Sequence, residues 1–253
     1  MPLPDRWLWL GLSVLFATVA ANLAWLFHRW PGGRAWTERL ESAGVLSPLL
    51  HLVRFLYCVG LPLAALTWGR DAILERAFGL WPLPLLFGVT PTVEETLAAW
   101  TQWARGVGWV VFLGGTTWGL LALSGWMDRG SGWTGIRLGP WALLREALFH
   151  ETHWMFYRNG PVVALGPYWG TWAGLGIALL EAALNPWWRR ALGEPGQRPL
   201  TLIRVAMAPL SSFLYLQASN LWLAVFLHWG VTWGAMAWTN WLARCPAHQI
   251  CSK

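Results

Sequence analysis

Long apolar runs separated by short polar segments form the main pattern of hydrophobic and polar positions in this chain. A helix needs about 20 mostly apolar residues to cross the hydrocarbon core of a bilayer, and several runs approach or exceed that length. The runs are Trp7–Phe27, Leu46–Trp68, Val107–Trp126, Gly166–Leu184, Val205–Gln217 and Leu221–Trp241. We interpret the first run as a span rather than a signal peptide, because it is long and follows an acidic residue, Asp5.

Three other segments depart from this simple pattern. Leu80–Pro91 is apolar but too short to span and is interrupted by proline, which predicts a re-entrant or interfacial piece. Thr92–Arg105 alternates tryptophan with polar residues and predicts a surface helix. Pro140 begins a helix that is unusually polar and continues to about Arg158. The pattern predicts an all-α polytopic transmembrane bundle of six to seven spans, forming one integral membrane domain over residues 1–253.

Composition and charge support a membrane protein over a soluble one. Hydrophobic residues make up 56% of the chain and charged residues only 12%, about half the share in soluble domains. The net charge of +6 would suggest nucleic acid in a soluble protein, but here the arginines lie in short loops between apolar runs. The lipid bilayer is therefore the expected partner and nucleic acid is not. The arginine-rich loop His28–Glu41 predicts a cytoplasmic loop and an N-terminus outside.

The polar helix at 140–158 contains the candidate chemistry. Six arginine, glutamate and histidine side chains fall within residues 145–158, and charges at membrane depth usually face a cavity or a partner. Helical spacing sorts the polar helix into two stripes roughly 140° apart. One stripe is Glu146, His150, His153 and Tyr157, and the other is Glu151, Trp154 and Arg158. Either glutamate could activate water, and His150 and His153 are candidate ligands of a divalent metal. A wet, self-paired helix at the bilayer edge is the alternative interpretation.

The last apolar run places one histidine, His228, in an otherwise apolar helix. A lone histidine of this kind is more often a satisfied core residue than a ligand, but the polar helix offers it partners. Gln217, Thr232 and Asn240 could line the same cavity. We therefore expect Glu146, Glu151, His153 and His228 to converge on one water-accessible cavity.

Three segments carry a resemblance to a known family: Arg145–His150, Phe213–Gln217 and His228–Thr232. Through these segments, residues 140–241 resemble the CPBP family of intramembrane proteases, which includes the CAAX prenyl endopeptidases. The chain departs from the family pattern at Gln217, where the family has histidine, and at Thr232, where it has asparagine. The resemblance implies a protease-like helical core in which Glu146 or Glu151 activates water and His228 assists.

Two functions from different classes stay open at this point. The first is a glutamate- and histidine-dependent intramembrane endopeptidase or related hydrolase, with Glu146, Glu151 and His228 as its catalytic residues. The second is a non-catalytic subunit of a larger respiratory or photosynthetic membrane complex, which fits the altered motifs and the 24 tryptophans. Its histidines could then bind a chlorin magnesium or a haem, because neutral imidazole is a common metal ligand.

Overall fold

Helices form the whole architecture of the described chain. The computed structural model describes residues 5–69, 79, 92–127, 138–194 and 197–244. Within these ranges no strand occurs, and six helices are long and apolar enough to cross a membrane. The protein is a multi-pass, all-α helical membrane protein, as its apolar runs predict. The segment Leu80–Pro91, predicted to be re-entrant or interfacial, lies outside the described residues.

The helices follow the apolar runs closely but extend beyond them. In chain order they are α1 (Asp5–Arg29), α2 (Pro31–Ser42), α3 (Leu46–Phe55), α4 (Leu61–Trp68), α5 (Val93–Met127), α6 (Pro140–Leu184), α7 (Pro186–Gly193), α8 (Arg198–Ala218) and α9 (Leu221–Arg244). A π-helical turn, Leu56–Gly60, joins α3 to α4. Large apolar side chains such as Leu8, Val111 and Leu179 point outward, as expected where lipid rather than water surrounds the protein.

Two segments differ from the sequence-based expectation. The predicted surface helix Thr92–Arg105 is not separate, because it continues without a break into the following span as α5. The predicted loop His28–Glu41 contains the helix α2, which begins at Pro31, a favoured first position for proline. A polar face does not by itself end a helix. Helix α5 continues through Gly106 and Gly108, and α2 contains Gly32 and Gly33, because a glycine inside a helix costs only about 1 kcal/mol.

The described helices group into two compact units. The first unit is formed by the described parts of Met1–Phe78 and Thr152–Thr201, and the second by those of Gly79–Glu151 and Leu202–Lys253. Helix α6 contributes to both units. The expectation of one integral membrane domain over residues 1–253 stays a prediction.

Small residues bring α5 and α9 together in the second unit. Gly106 lies against the side chain of Leu223, and Gly234 lies against the indole of Trp118. Glycine at such positions lets two membrane helices approach closely, so that van der Waals packing replaces the hydrophobic effect as the driving force. This packing fixes α9, the helix that carries His228.

Helix α6 folds back on itself within the first unit. Gly166 has a non-helical backbone with φ of 79°, a conformation that glycine adopts without a steric penalty. The arms on either side, residues 152–165 and 167–184, pack closely: Gly170 lies against the backbone of Val162, and Gly174 lies against Arg158. The resulting helical hairpin aligns residues equally distant from the turn.

Replacing Gly174 by leucine is expected to lower the free energy of unfolding by about 3 kcal/mol. A Cβ atom at this position would lie 2.7 Å from both Cα and Cγ of Arg158, so the two arms would have to separate. Gly176→Leu is the matched control, because a Cβ atom there meets nothing within 4 Å. Unfolding of the purified chain in mixed micelles, followed by far-UV circular dichroism, measures both variants. Equal destabilisation by the two substitutions would contradict the close packing of the arms.

Candidate functional site

A buried carboxylate–imidazole pair lies in the second unit. Glu151 comes from α6 and His228 from α9, and Nδ1 of His228 lies 2.9 Å from Oε1 of Glu151. Ser211, from α8, donates a hydrogen bond to the other carboxylate oxygen of Glu151. The exposed fraction is 0% for Glu151 and 2% for His228. We call these three side chains the Glu–His–Ser cluster.

The turn between α8 and α9 explains how two members of the Glu–His–Ser cluster meet. Ser219 adopts a left-handed φ of 45°, and Asn220 caps α9 by accepting a hydrogen bond from the backbone N–H of Trp222 at 2.9 Å. Ser211 and His228 stand at nearly equal distances in sequence from this turn. The two antiparallel helices therefore present both side chains at one level, where Glu151 meets them.

The hydrogen bonds of the Glu–His–Ser cluster define its chemistry. An ionised carboxylate only accepts hydrogen bonds, and here it receives one from Ser211 and one from His228. When Nδ1 of His228 carries this hydrogen, the neutral ring has its lone pair on Nε2. A carboxylate that fixes the tautomer of an imidazole in this way prepares the other ring nitrogen to act as a base.

Three further polar residues lie at or beside this cluster: His150, Glu146 and Thr232. The ring of His150 stacks on the ring of His228, with centroids 5.6 Å apart, and Nδ1 of His150 lies 2.8 Å from the backbone oxygen of Glu146. The carboxylate of Glu146 lies 3.6 Å from the guanidinium of Arg204 and 4.0 Å from that of Arg145. Thr232 donates a hydrogen bond to the backbone oxygen of His228. Of the residues predicted to be catalytic, Glu151 and His228 are in direct contact. The carboxylate of Glu146 instead forms ion pairs with Arg204 and Arg145.

No ready-made set of metal ligands occurs among the described residues. In the part of the chain that the structure describes, no group of three histidine, cysteine or carboxylate side chains is arranged to hold a metal. Oε1 of Glu151 and Nδ1 of His228 are also at hydrogen-bonding distance from each other, and a ring nitrogen that donates a hydrogen bond has no lone pair for a metal ion. The assignment of His150 and His153 as metal ligands stays a prediction.

His153 belongs to a second polar cluster, in the first unit. Its Nε2 lies 3.0 Å from Oε2 of Glu181 and 3.2 Å from the hydroxyl of Tyr57. The hydroxyls of Tyr57 and Tyr157 are 3.0 Å apart, and Ser13 lies within hydrogen-bonding distance of both. Nδ1 of His153 is buried without a hydrogen-bond partner among the described residues. Tyr57 stands in the π-helical turn, a local widening that often occurs at functional sites.

Sequence reasoning missed Glu181 and Ser211. Glu181 is the only charged residue of the run Gly166–Leu184, and an ionisable residue inside a span is a functional candidate by default. That signal was available in the sequence. Ser211 had no comparable signal, because serine is common in membrane helices and only the folded hairpin shows what it contacts.

Comparison with known proteins adds no relative to this picture. No protein-family model, no curated protein and no solved structure matches the chain. The resemblance to the CPBP family therefore stays a prediction, based on the motifs that contain Glu146 and His228. The geometry of the Glu–His–Ser cluster is the main indication of function.

Proposed function

We propose that this protein is a membrane-embedded hydrolase, a CPBP-like endopeptidase in which Glu151 and His228 activate water. The observation that carries the proposal is the buried contact of 2.9 Å between Nδ1 of His228 and the carboxylate of Glu151. Buried ionisable groups in a membrane protein are costly and mark functional sites more often than structural ones. A hydrogen-bonded pair of this kind is also the arrangement that general-base catalysis requires.

The roles follow from the hydrogen bonds. His228 takes a proton from water at Nε2, and the resulting hydroxide attacks the carbonyl carbon of the scissile bond. Glu151 stabilises the imidazolium that forms, while Ser211 holds the carboxylate in place. His228 then returns the proton to the leaving amine, which restores the neutral ring. Glu146 has no step in this scheme, although the sequence motif alone offers it as an alternative to Glu151.

The topology of the site relative to the membrane is part of the proposal. By the positive-inside rule, the arginine-rich segments that follow α1 and α6 are both cytoplasmic. The N-terminus is then outside. Cysteine-accessibility labelling of single cysteines at Arg34 and Arg189 in intact cells tests this orientation.

A second candidate is a non-catalytic subunit of a larger respiratory or photosynthetic membrane complex. An apolar groove of about 560 Å³ in the second unit supports it, because its walls include the indoles of Trp118, Trp233 and Trp238. Flat aromatic walls suit a lipid tail or a pigment ring. Full burial of Glu151 also fits a pair whose role is to hold helices together.

Purification of the full chain from its native membranes in mild detergent distinguishes the two candidates. The hydrolase is expected to run as a monomer or small oligomer, to be colourless, and to cleave membrane peptides in a mass-spectrometric assay. The variant His228→Ala should lack that cleavage. A stoichiometric large complex with a visible absorbance band, and no cleavage above that of His228→Ala, would overturn the hydrolase and favour the subunit.

A further inference from the structure

Two basic segments that are far apart in sequence meet in the first unit. The amide of Asn22, near the end of α1, donates a hydrogen bond of 3.2 Å to the backbone oxygen of Leu184, the last residue of α6. Helix α7 follows at once and packs against α1. Its N-terminus is fixed by Asn185, which accepts a hydrogen bond of 3.0 Å from the backbone N–H of Trp187. The end of α1 and the first turns of α7 are therefore adjacent.

Two arginines converge on one indole at this surface. The guanidinium carbons of Arg29 and Arg190 each lie 5.9 Å from the ring centroid of Trp25, which is within the range of a cation–π contact. The two charges are thus no more than twice that distance apart. The ring of Trp187 packs edge-on against Trp25 at 4.9 Å, and His28 lies 5.4 Å from Trp187. We call these five side chains the Trp25 basic cluster.

The positive charge of the Trp25 basic cluster is only partly compensated. Arg190 forms an ion pair with Glu194, whose side chain is 36% exposed. No carboxylate among the described residues pairs with Arg29 or with the neighbouring Arg189, and both arginines are exposed. Two guanidinium groups held near one ring repel each other, so a bound anion would stabilise the arrangement.

The level of the Trp25 basic cluster in the membrane indicates which class of anion can reach it. Trp25 and Trp187 flank membrane-spanning runs, where indoles prefer the level of the lipid headgroups. Arginines at the end of a span extend to the same level. Basic side chains between membrane helices at this depth are the ordinary binding sites of anionic phospholipid headgroups, whose phosphate matches the planar guanidinium fork.

We propose that the Trp25 basic cluster binds the phosphate-bearing headgroup of an anionic phospholipid. Arg29 and Arg190 contact the headgroup, and Trp25 holds both guanidinium groups in place. The proposal does not depend on the hydrolase, because it involves neither Glu151 nor His228. The predicted ligand is a lipid of the surrounding membrane rather than a soluble phosphate compound.

Native mass spectrometry of the full purified chain tests the proposal. The chain is titrated in detergent with dioleoyl phosphatidylglycerol, and separately with dioleoyl phosphatidylcholine. The double variant Arg29→Gln/Arg190→Gln is expected to bind phosphatidylglycerol roughly 30-fold more weakly, from the contribution of each arginine near a membrane surface. The control Arg39→Gln/Arg105→Gln removes two exposed arginines on α2 and α5 with the same change of charge, and should alter binding less than threefold.

A third variant separates a built site from simple attraction between charges. Trp25→Leu keeps every charge but removes the ring, and is expected to weaken binding about fivefold. Unchanged far-UV circular dichroism and a single elution peak establish that each variant is folded. The proposal is overturned if phosphatidylcholine binds as tightly as phosphatidylglycerol, or if the control double variant loses as much binding as Arg29→Gln/Arg190→Gln.

Discussion

Replacing Glu151 by glutamine is expected to lower kcat for cleavage of a membrane peptide by about 10³- to 10⁴-fold. The amide of glutamine has the same size as the carboxylate, but its NH₂ group can donate to Nδ1 of His228. His228 would then carry its hydrogen on Nε2 and could not accept a proton from water. The loss should therefore be in catalysis and not in the fold. A cleavage assay with the variant reconstituted in liposomes measures it.

Two other carboxylates serve as comparisons for Glu151. Glu94→Gln, at an exposed position on α5, is the matched isosteric control and should keep the full rate. Glu146→Gln tests the alternative from the sequence motif, and should lower the rate only slightly because its carboxylate lies against Arg204. If Glu146→Gln were inactive and Glu151→Gln active, the catalytic roles assigned here would be reversed.

Replacing Glu181 by leucine is expected to lower the free energy of unfolding by about 3–5 kcal/mol. The substitution removes the carboxylate that lies 3.0 Å from Nε2 of His153, and leaves this nitrogen of the buried imidazole with only the hydroxyl of Tyr57 as a partner among the residues that the structure describes. Unfolding of the purified chain in mixed micelles, followed by circular dichroism, gives the change.

A double variant shows whether the loss at Glu181 comes from an unpaired partner. Glu181→Leu/His153→Leu removes both members of the pair and should recover much of the stability, because apolar replacements of a buried pair are often nearly neutral. Glu194→Leu breaks an exposed ion pair with Arg190 and should cost less than about 1 kcal/mol. If the double variant were less stable than Glu181→Leu alone, the pair would not be the origin of the effect.

The membrane fold was predictable from sequence because lipid imposes a simple rule. Every backbone group of a span must be hydrogen-bonded internally, so an apolar run of sufficient length becomes a helix. The runs at Trp7–Phe27 and Leu46–Trp68 correspond to α1 and to α3 with α4. The continuous helix α5 was not predicted, because the polar residues before Arg105 are typical of a separate surface helix, whereas the helix in fact continues through Gly106, where it packs against α9.

The Glu–His–Ser cluster was only partly predictable. Helical spacing singled out Glu151, and the apolar setting singled out His228, but neither observation says which glutamate the histidine meets. That choice depends on the turn at Ser219–Asn220 and on the rotation of α6, which are properties of packing. Glu181 could have been singled out as the one charge in its apolar run, but its partner His153 lies 28 residues away across the turn at Gly166, and only the folded hairpin shows that contact.

The turn at Gly166 also has a consequence for how the protein is made. The arm that contains His153 and Arg158 leaves the ribosome before the arm that contains Glu181. A charged side chain alone at the centre of a membrane helix opposes insertion by about 2.5–3.5 kcal/mol. The first arm is therefore a poor substrate for insertion until the second arm has been synthesised, and the two arms are expected to leave the translocation channel together as a preformed hairpin.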